Sequence, residues 1–323
     1  MRLELLLACG SLIGLIANVD VTAQVYPLKP VRIIVPAPAG GNPDFIARPV
    51  AQKMSESLKQ PILIDNRPGA AGTIGVEFAV RAAPDGYTIL SGAIGHIATP
   101  PALYEKLSYD VMRDLATISR LADAPLALFV HPSLPARSVR EFVALAKSRP
   151  GQISYASFGV GSVTHFITEA LNLAIAVKMI HVPYKGSAPA ATALLGGEVM
   201  VSFDILQSTL PHVRTKRLRA LAIGSPKRAP VAPEIPTFAE AGYPDIIASA
   251  WYGLFAPVAT PRDIVMKLNA EAVKALAAPE IRDHFERAGI EPIGNAPEQF
   301  AQQVRSDIAR FGKIAREAGI RAE

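Results

Sequence analysis

The stretch Val31-Arg-Ile-Ile-Val-Pro-Ala-Pro-Ala-Gly-Gly-Asn-Pro-Asp44 narrows the choice of fold more than any other part of the chain. Val31 to Val35 suit a buried strand, Pro36 to Gly41 a loop, and Asn42, Pro43 and Asp44 a helix start. In that reading Asn42 is the N-cap, its side chain accepting a backbone N–H. Pro43 fills the first helical position, where no N–H is needed. Strand–loop–helix is the repeating unit of parallel α/β sheets. It also gathers unpaired backbone N–H groups at the positive end of a helix dipole, where small anions bind.

The unit recurs along the chain. A helix over about 43–59 places Ala47, Val50, Met54 and Leu58 at helical spacing, although Pro49 should delay its start or kink it. Strand Pro61–Asp65, loop 66–72, a helix near 73–82 and strand Tyr87–Leu90 follow. Leu126–Val130 is a further strand, and Ser138 caps a helix with Glu141 in capping-box position. Strand Ile153–Ala156 then enters a second glycine loop, Ser157-Phe-Gly-Val-Gly-Ser162, and a helix with Phe166, Ala170 and Leu173 inward. Strands Met179–Val182, Val199–Phe203 and Arg219–Ile223, with a helix at Ala190–Leu195, complete this run. A helical turn at Pro236–Gly242, a strand at Trp251–Ala256 and two amphipathic helices (about 261–277 and 297–318) close the chain. The simplest topology is two α/β lobes joined by two crossings, near Leu121–Leu126 and Ile246–Tyr252. Lobe 1 would be discontinuous (24–124 plus 249–323), with lobe 2 spanning 125–248.

Residues 1–23 read as an export signal, with Arg2 as the basic start, an apolar run from Leu5 to Ala17, and Val21-Thr22-Ala23 as cleavage site. That run is about 13 residues, short of the ~20 that span a bilayer. Cleavage near Ala23 would remove Cys9, the one cysteine, so the mature chain would use neither disulfides nor thiol chemistry. About 300 residues remain, enough for two cores. Half of all residues are apolar and 19% are charged, which excludes a disordered chain. The basic cluster Arg214, Lys216, Arg217 and Arg219 has no interleaved aromatics and reads as a solvated helix end, so no nucleic-acid partner is expected.

Most chemical motifs fail on spacing. Gly159-Val-Gly161 lacks the third glycine of a dinucleotide loop, and no Gly-Lys-Ser/Thr follows a glycine loop. Ser162, His165 and Asp204 could be offered as a hydrolase relay, but Gly-x-Ser-x-Gly is absent. Ser162 and His165, three apart at a helix start, suit capping and a hydrogen bond. No histidine pair has metal spacing, and no cofactor is expected. Asp204 ends a strand where α/β sheets place their ligands, or else caps the next helix. Arg48 either approaches an anion or braces a neighbouring acid. What remains is a set of glycine loops able to hold a small anion by backbone N–H groups.

At these residues the chain resembles a known group. Tyr26-Pro-x-x-Pro-Val-Arg-Ile-Ile-Val-Pro36, Gly40-Gly41-x-x-Asp44, Asn66-Arg67-Pro68-Gly69, Pro84-Asp85-Gly86-Tyr87, Gly161-Ser162-x-x-His165, His181-Val-Pro-Tyr-Lys-Gly186 and Trp251-Tyr-Gly-Leu254 are shared in order. These are motifs of the Bug-type solute-binding receptors of tripartite tricarboxylate transporters. The resemblance implies a two-lobed type II periplasmic binding-protein fold without catalysis, a monomer that takes a small organic acid and delivers it to membrane permease subunits. A sensor input without transport would share this fold. Carried over by position, the ligand contacts fall at Ala37, Pro38, Ala39, Gly40, Gly41 and Asp44, facing Ser157, Gly159, Gly161, Ser162 and His165, with Asp204 able to meet an ammonium. The family usually has a bulky aromatic, Ala and Pro before the glycine pair. Ala37-Pro38-Ala39 stands here instead and implies a differently shaped first loop.

Overall fold

The computed structural model describes residues 26–321, so the expected export signal lies outside the described residues. In chain order the elements begin with β1 (Val31–Val35), α1 (Asn42–Leu58), β2 (Ile62–Asn66), α2 (Thr73–Val80) and β3 (Thr88–Ala93). Three single turns, α3 (Ile94–Ile97), α4 (Pro100–Leu103) and α5 (Val111–Asp114), lead into the long β4 (Leu115–Val130). The middle of the chain forms α6 (Val139–Ser148), β5 (Ser154–Ser157), α7 (Val163–Ile175), β6 (Ile180–Pro183), α8 (Ser187–Gly196), β7 (Val201–Ile205), α9 (Leu206–Arg214) and β8 (Arg219–Ile223). It ends with β9 (Ser249–Pro257), α10 (Arg262–Ala277), α11 (Pro279–Arg287), β10 (Glu291–Pro292) and α12 (Pro297–Ala318).

The strands form one mixed sheet in the order β2-β1-β3-β9-β4-β7-β5-β6, with β8 and β10 also paired to β4. β1, β2 and β3 are parallel, as are β5, β6 and β7, as the repeated unit requires. The antiparallel strands β9 and β4, at the two expected crossings, join these halves. β4 belongs to both halves: Leu115–Pro125 pairs with β9, and Leu126–Val130 pairs with β7 and β8. Where it passes between them, Leu126 N–H donates to Ala248 O (3.0 Å) and Gly224 N–H donates to Leu126 O (2.8 Å).

Period-two alternation explains how β4 is buried on both faces. Leu126, Leu128 and Val130 face the main core, whereas Ala127 and Phe129 face a second core with Leu194, Leu206 and Ile223. The main core runs through both halves and includes Val35, Leu90, Phe142, Phe166 and Phe255. α12 covers it: Phe300 packs edge-on to Trp251, Phe311 meets Phe166 on α7 at 5.0 Å, and Trp251 Nε1–H donates to Asp307 (2.8 Å).

Several expectations are corrected here. The N-cap of α1 is Gly41, with no side-chain cap bond, and Asn42 and Pro43 are the first two helical residues. Asp44 instead reaches back to the N–H of Gly40 (3.0 Å). α1 starts at Asn42 and continues through Pro49. Leu173 is 41% exposed, because α7 turns its other face to the core. Residues 236–242 do form the expected helical turn, with Ala241 N–H donating to Thr237 O (3.1 Å) and the Thr237 and Glu240 side chains each accepting the other's backbone N–H.

Candidate functional site

The carboxyl ends of the parallel strands carry the glycine loops. In the first half, the loop after β1 is drawn together by Asp44, which is 4% exposed. Its carboxylate accepts from Gly40 N–H, from Arg48 Nε and Nη2 (3.2 and 2.7 Å) and from Asn66 Nδ2 (3.1 Å). Burial opposes ionisation of Asp44, but these hydrogen bonds outweigh it and hold the carboxyl below its usual range. Arg48 therefore braces an acid, the second of its two expected roles. Asn66 Nδ2 also donates to Ala37 O (3.1 Å), and Gly41 N–H donates to Pro38 O (3.2 Å), so this loop is internally bonded. Pro38 is followed by the exposed Ala39, and Gly40 takes φ +78°. Among the described residues, the first-turn N–H groups of Asn42 and Asp44 have no protein acceptor.

The loop after β2 turns through two alanines in left-handed conformation, Ala70 (φ 45°) and Ala71 (φ 53°), into α2. Gly72 (φ 91°) closes it against His96: a Cβ there would stand 2.6 Å from that ring and 3.2 Å from Pro36 O. Only a residue without a side chain fits both the angle and the space.

In the second half, Ser157, Gly159, Gly161, Ser162 and His165 form one network. Ser157 Oγ accepts Gly159 N–H (3.2 Å) and lies 2.6 Å from His181 Nε2. Ser162 caps α7 by accepting His165 N–H (3.3 Å), as the spacing implies. His165 Nδ1 accepts Gly161 N–H (3.0 Å). The rings of His165 and His181 stack at 3.9 Å, and His181 stacks on Tyr155 at 4.9 Å. Burial holds both imidazoles neutral, each pushed down to about 4, with the neighbouring His165 adding to the effect on His181. His181, which the sequence offers only within its shared motif, and Tyr155 join this network because β5 and β6 pair side by side, a neighbourhood that no sequence spacing announces. The N–H groups of Val163 and Thr164 in the first turn of α7 have no protein acceptor among the described residues.

Asp204 is the penultimate residue of β7, at its carboxyl end as expected, and is 1% exposed. It accepts from Ile205 N–H (2.7 Å) and from Ser187 Oγ (3.0 and 3.2 Å), with Ser208 Oγ at 3.5 Å. Desolvation outweighs these bonds and pushes it up to about 7. It does not bond Gln207 or cap α9. No side chain among Ser162, His165 and Asp204 hydrogen-bonds the side chain of another, so they form no hydrolytic relay.

The first half touches the second at the second glycine loop. A Cβ on Gly161 would collide with Leu103 of α4, so the segment that leaves β3 packs directly against the second glycine loop. No hydrogen bond connects residues 37–44 with residues 157–165 among the described residues.

This architecture is that of the two-lobed periplasmic binding proteins. The R. palustris protein Rpa4515, solved with adipate, superposes at TM-score 0.83 with 34% identity over 92% of this chain and 100% of that one. MatC from Rhodopseudomonas palustris, with bound malate, superposes at 0.79 with 34% identity over 90% of this chain and 99% of that one. BugT of Bordetella pertussis is 37% identical over 300 residues, covering 93% of this chain and 92% of BugT. The model of the tripartite tricarboxylate transporter family receptor, TctC, matches residues 46–320. The chain belongs to this receptor family.

Proposed function

We propose that the chain is a periplasmic receptor that captures a small organic carboxylate between its two halves and delivers it to the permease subunits of a tripartite tricarboxylate transporter. The observation that carries the reading is a pair of helix starts, one in each half, with unpaired N–H groups. Asn42 and Asp44 supply them in α1, and Val163 and Thr164 supply them in α7. Such groups bind carboxylates without a dedicated cation, and Arg48 and Arg67 are engaged with Asp44 and Asp65. Relatives solved with adipate and with malate support a dicarboxylate or similar acid. The lobes would be 24–124 plus 249–323 and 125–248, closing about the crossing near Leu126 and Ala248.

Within this reading Ala37, Pro38, Ala39 and the glycine pair shape one wall, and Ser157, Gly159, Gly161, Ser162 and His165 the other. Asp44 acts beneath the loop, since its carboxylate would repel a ligand acid. Asp204 stands ready for an ammonium or hydroxyl on the ligand. Titration of the purified chain with adipate, malate and citrate tests the reading. A bound acid at a hundred times its Kd should stabilise the fold by about 2.7 kcal/mol, with the solute recovered unchanged. Consumption of the solute, abolished by Ser162→Ala, would replace this reading with a hydrolase.

A further inference from the structure

We propose that His96 is the side chain with which the first half grips the carboxylate, donating its Nε2–H to a ligand oxygen opposite His165. The inference rests on the receptor reading above.

The position of His96 comes from three strand ends. It lies in the single turn α3 directly after β3, and its ring fills the space beside Gly72 in the loop after β2. Pro36 O, from the loop after β1, borders the same space. One imidazole therefore sits where all three parallel strands of this half deliver their loops, the usual ligand position of an α/β sheet.

Its proton is placed by the backbone. Ala93 N–H donates to Nδ1 (3.4 Å), which leaves Nε2 to carry the hydrogen. Nε2 has no acceptor among the described residues, and the ring is only partly buried. Burial keeps the imidazole neutral, pushed down to about 4, so it serves as a donor without a full charge.

The second half repeats the device. His165 is also the third residue of a helix, and its Nδ1 also accepts a backbone N–H from just upstream, that of Gly161. The turn that follows α3 reaches the second loop, since Leu103 of α4 packs on Gly161. Three neighbouring side-chain donors are already engaged. Asn66 Nδ2 is engaged with Ala37 O and Asp44, Arg48 with Asp44, and Arg67 with Asp65 and the face of Phe78.

Calorimetric titration of the full chain with adipate and with malate at pH 7.5 tests this. His96→Phe keeps a ring against Gly72 and removes the donor, whereas His96→Gln keeps a donor. For whichever acid the wild type binds, His96→Phe should weaken affinity by about 10- to 100-fold, the range of a hydrogen bond to a charged acceptor. His96→Gln should recover part of that loss, and in the wild type the His96 Nε2–H proton resonance should shift downfield on adding the acid. Should His96→Phe fail to fold, the Gln variant and the resonance decide. Affinity within twofold of wild type in a folded His96→Phe, or an unmoved resonance on saturation, would overturn the role of His96 alone. A wild-type chain that binds neither acid would overturn the receptor reading and this inference with it.

Discussion

At the scale of single residues, the buried histidines and Asp204 carry opposite dependences on pH. His96, His165 and His181 titrate near 4 in the folded chain against 6.5 when unfolded. Between those values the unfolded chain binds more protons. Their contribution is therefore fully present above pH 6.5 and is lost as pH falls through 4. Asp204 works the other way. Raised to about 7 from 3.8, it favours the fold at low pH, and that contribution is lost as pH rises through 7. Asp204→Asn, which keeps an acceptor for Ser187 and Ser208, should raise Tm more at pH 8 than at pH 4. His181→Phe, which preserves the stack on Tyr155, should flatten the fall in Tm between pH 6.5 and 4. Thermal melts across this range check both, and equal effects of Asp204→Asn at pH 4 and pH 8 would contradict the assignment.

At the scale of elements, the loops separate residues that shape the site from residues that hold the chain. Gly86 takes φ +79°, and a Cβ there would press on Ile264 and lie 3.1 Å from the ring of Tyr26. Gly41 has an ordinary φ of −72°, and a Cβ there would meet Pro38 O at 3.2 Å and Pro43 Cδ at 3.8 Å. Gly86→Val should therefore destabilise by about 3 kcal/mol or more, from backbone strain and overpacking together. Gly41→Val should change stability by less than about 1 kcal/mol while lowering affinity for the bound acid. Denaturant melts paired with titration would show the two variants failing in different assays. The same contrast marks what the sequence made legible. α10 and α12 follow apolar periodicity and were found to within a residue, and the Ser162 cap follows from Ser-x-x-His. α11 leaves little trace in the sequence, because only Ile281 and Phe285, four apart, are apolar in an otherwise polar run. Asn42 has the chemistry of a cap but not the position, because Asp44 satisfies the Gly40 N–H from inside the helix. His96 had no signal at all: a lone histidine among Gly, Ala and Ile gains its meaning from Gly72 and Pro36, which are distant in sequence.

At the scale of the whole molecule, expected lobes and actual core differ in character. Repeating units imply two separate cores, yet the main core passes from Val35 and Leu90 to Phe142 and Phe166 without interruption. α12 seals it by touching β4, α7 and α4 together. A shared core should melt as a unit. Scanning calorimetry of the free protein should show one transition, with calorimetric and van't Hoff enthalpies in agreement. Two resolved transitions would mean that the halves are energetically independent. The long antiparallel β4 was half-seen in the sequence, as Leu126–Val130, because Leu115–Pro125 carries Thr117, Ser119, Arg120 and Asp123 among its apolar residues. Their polar groups bond to Asn295, Pro297 and one another, partners that no local pattern announces.

The place of β9 between β3 and β4 also orders events in time. Phe255 faces Leu90 on one side and Thr117 on the other, so a late strand fills a gap between two early ones. As the polypeptide is made from its amino end, β3 and the first part of β4 present unmatched edges until Ser249 and its successors arrive. Pairing across such distances is slow to nucleate, and open edges recruit other chains. The geometry that joins the halves thus keeps the first half unfinished until most of the chain exists. A polypeptide that must remain unfolded while it is moved would gain from that delay.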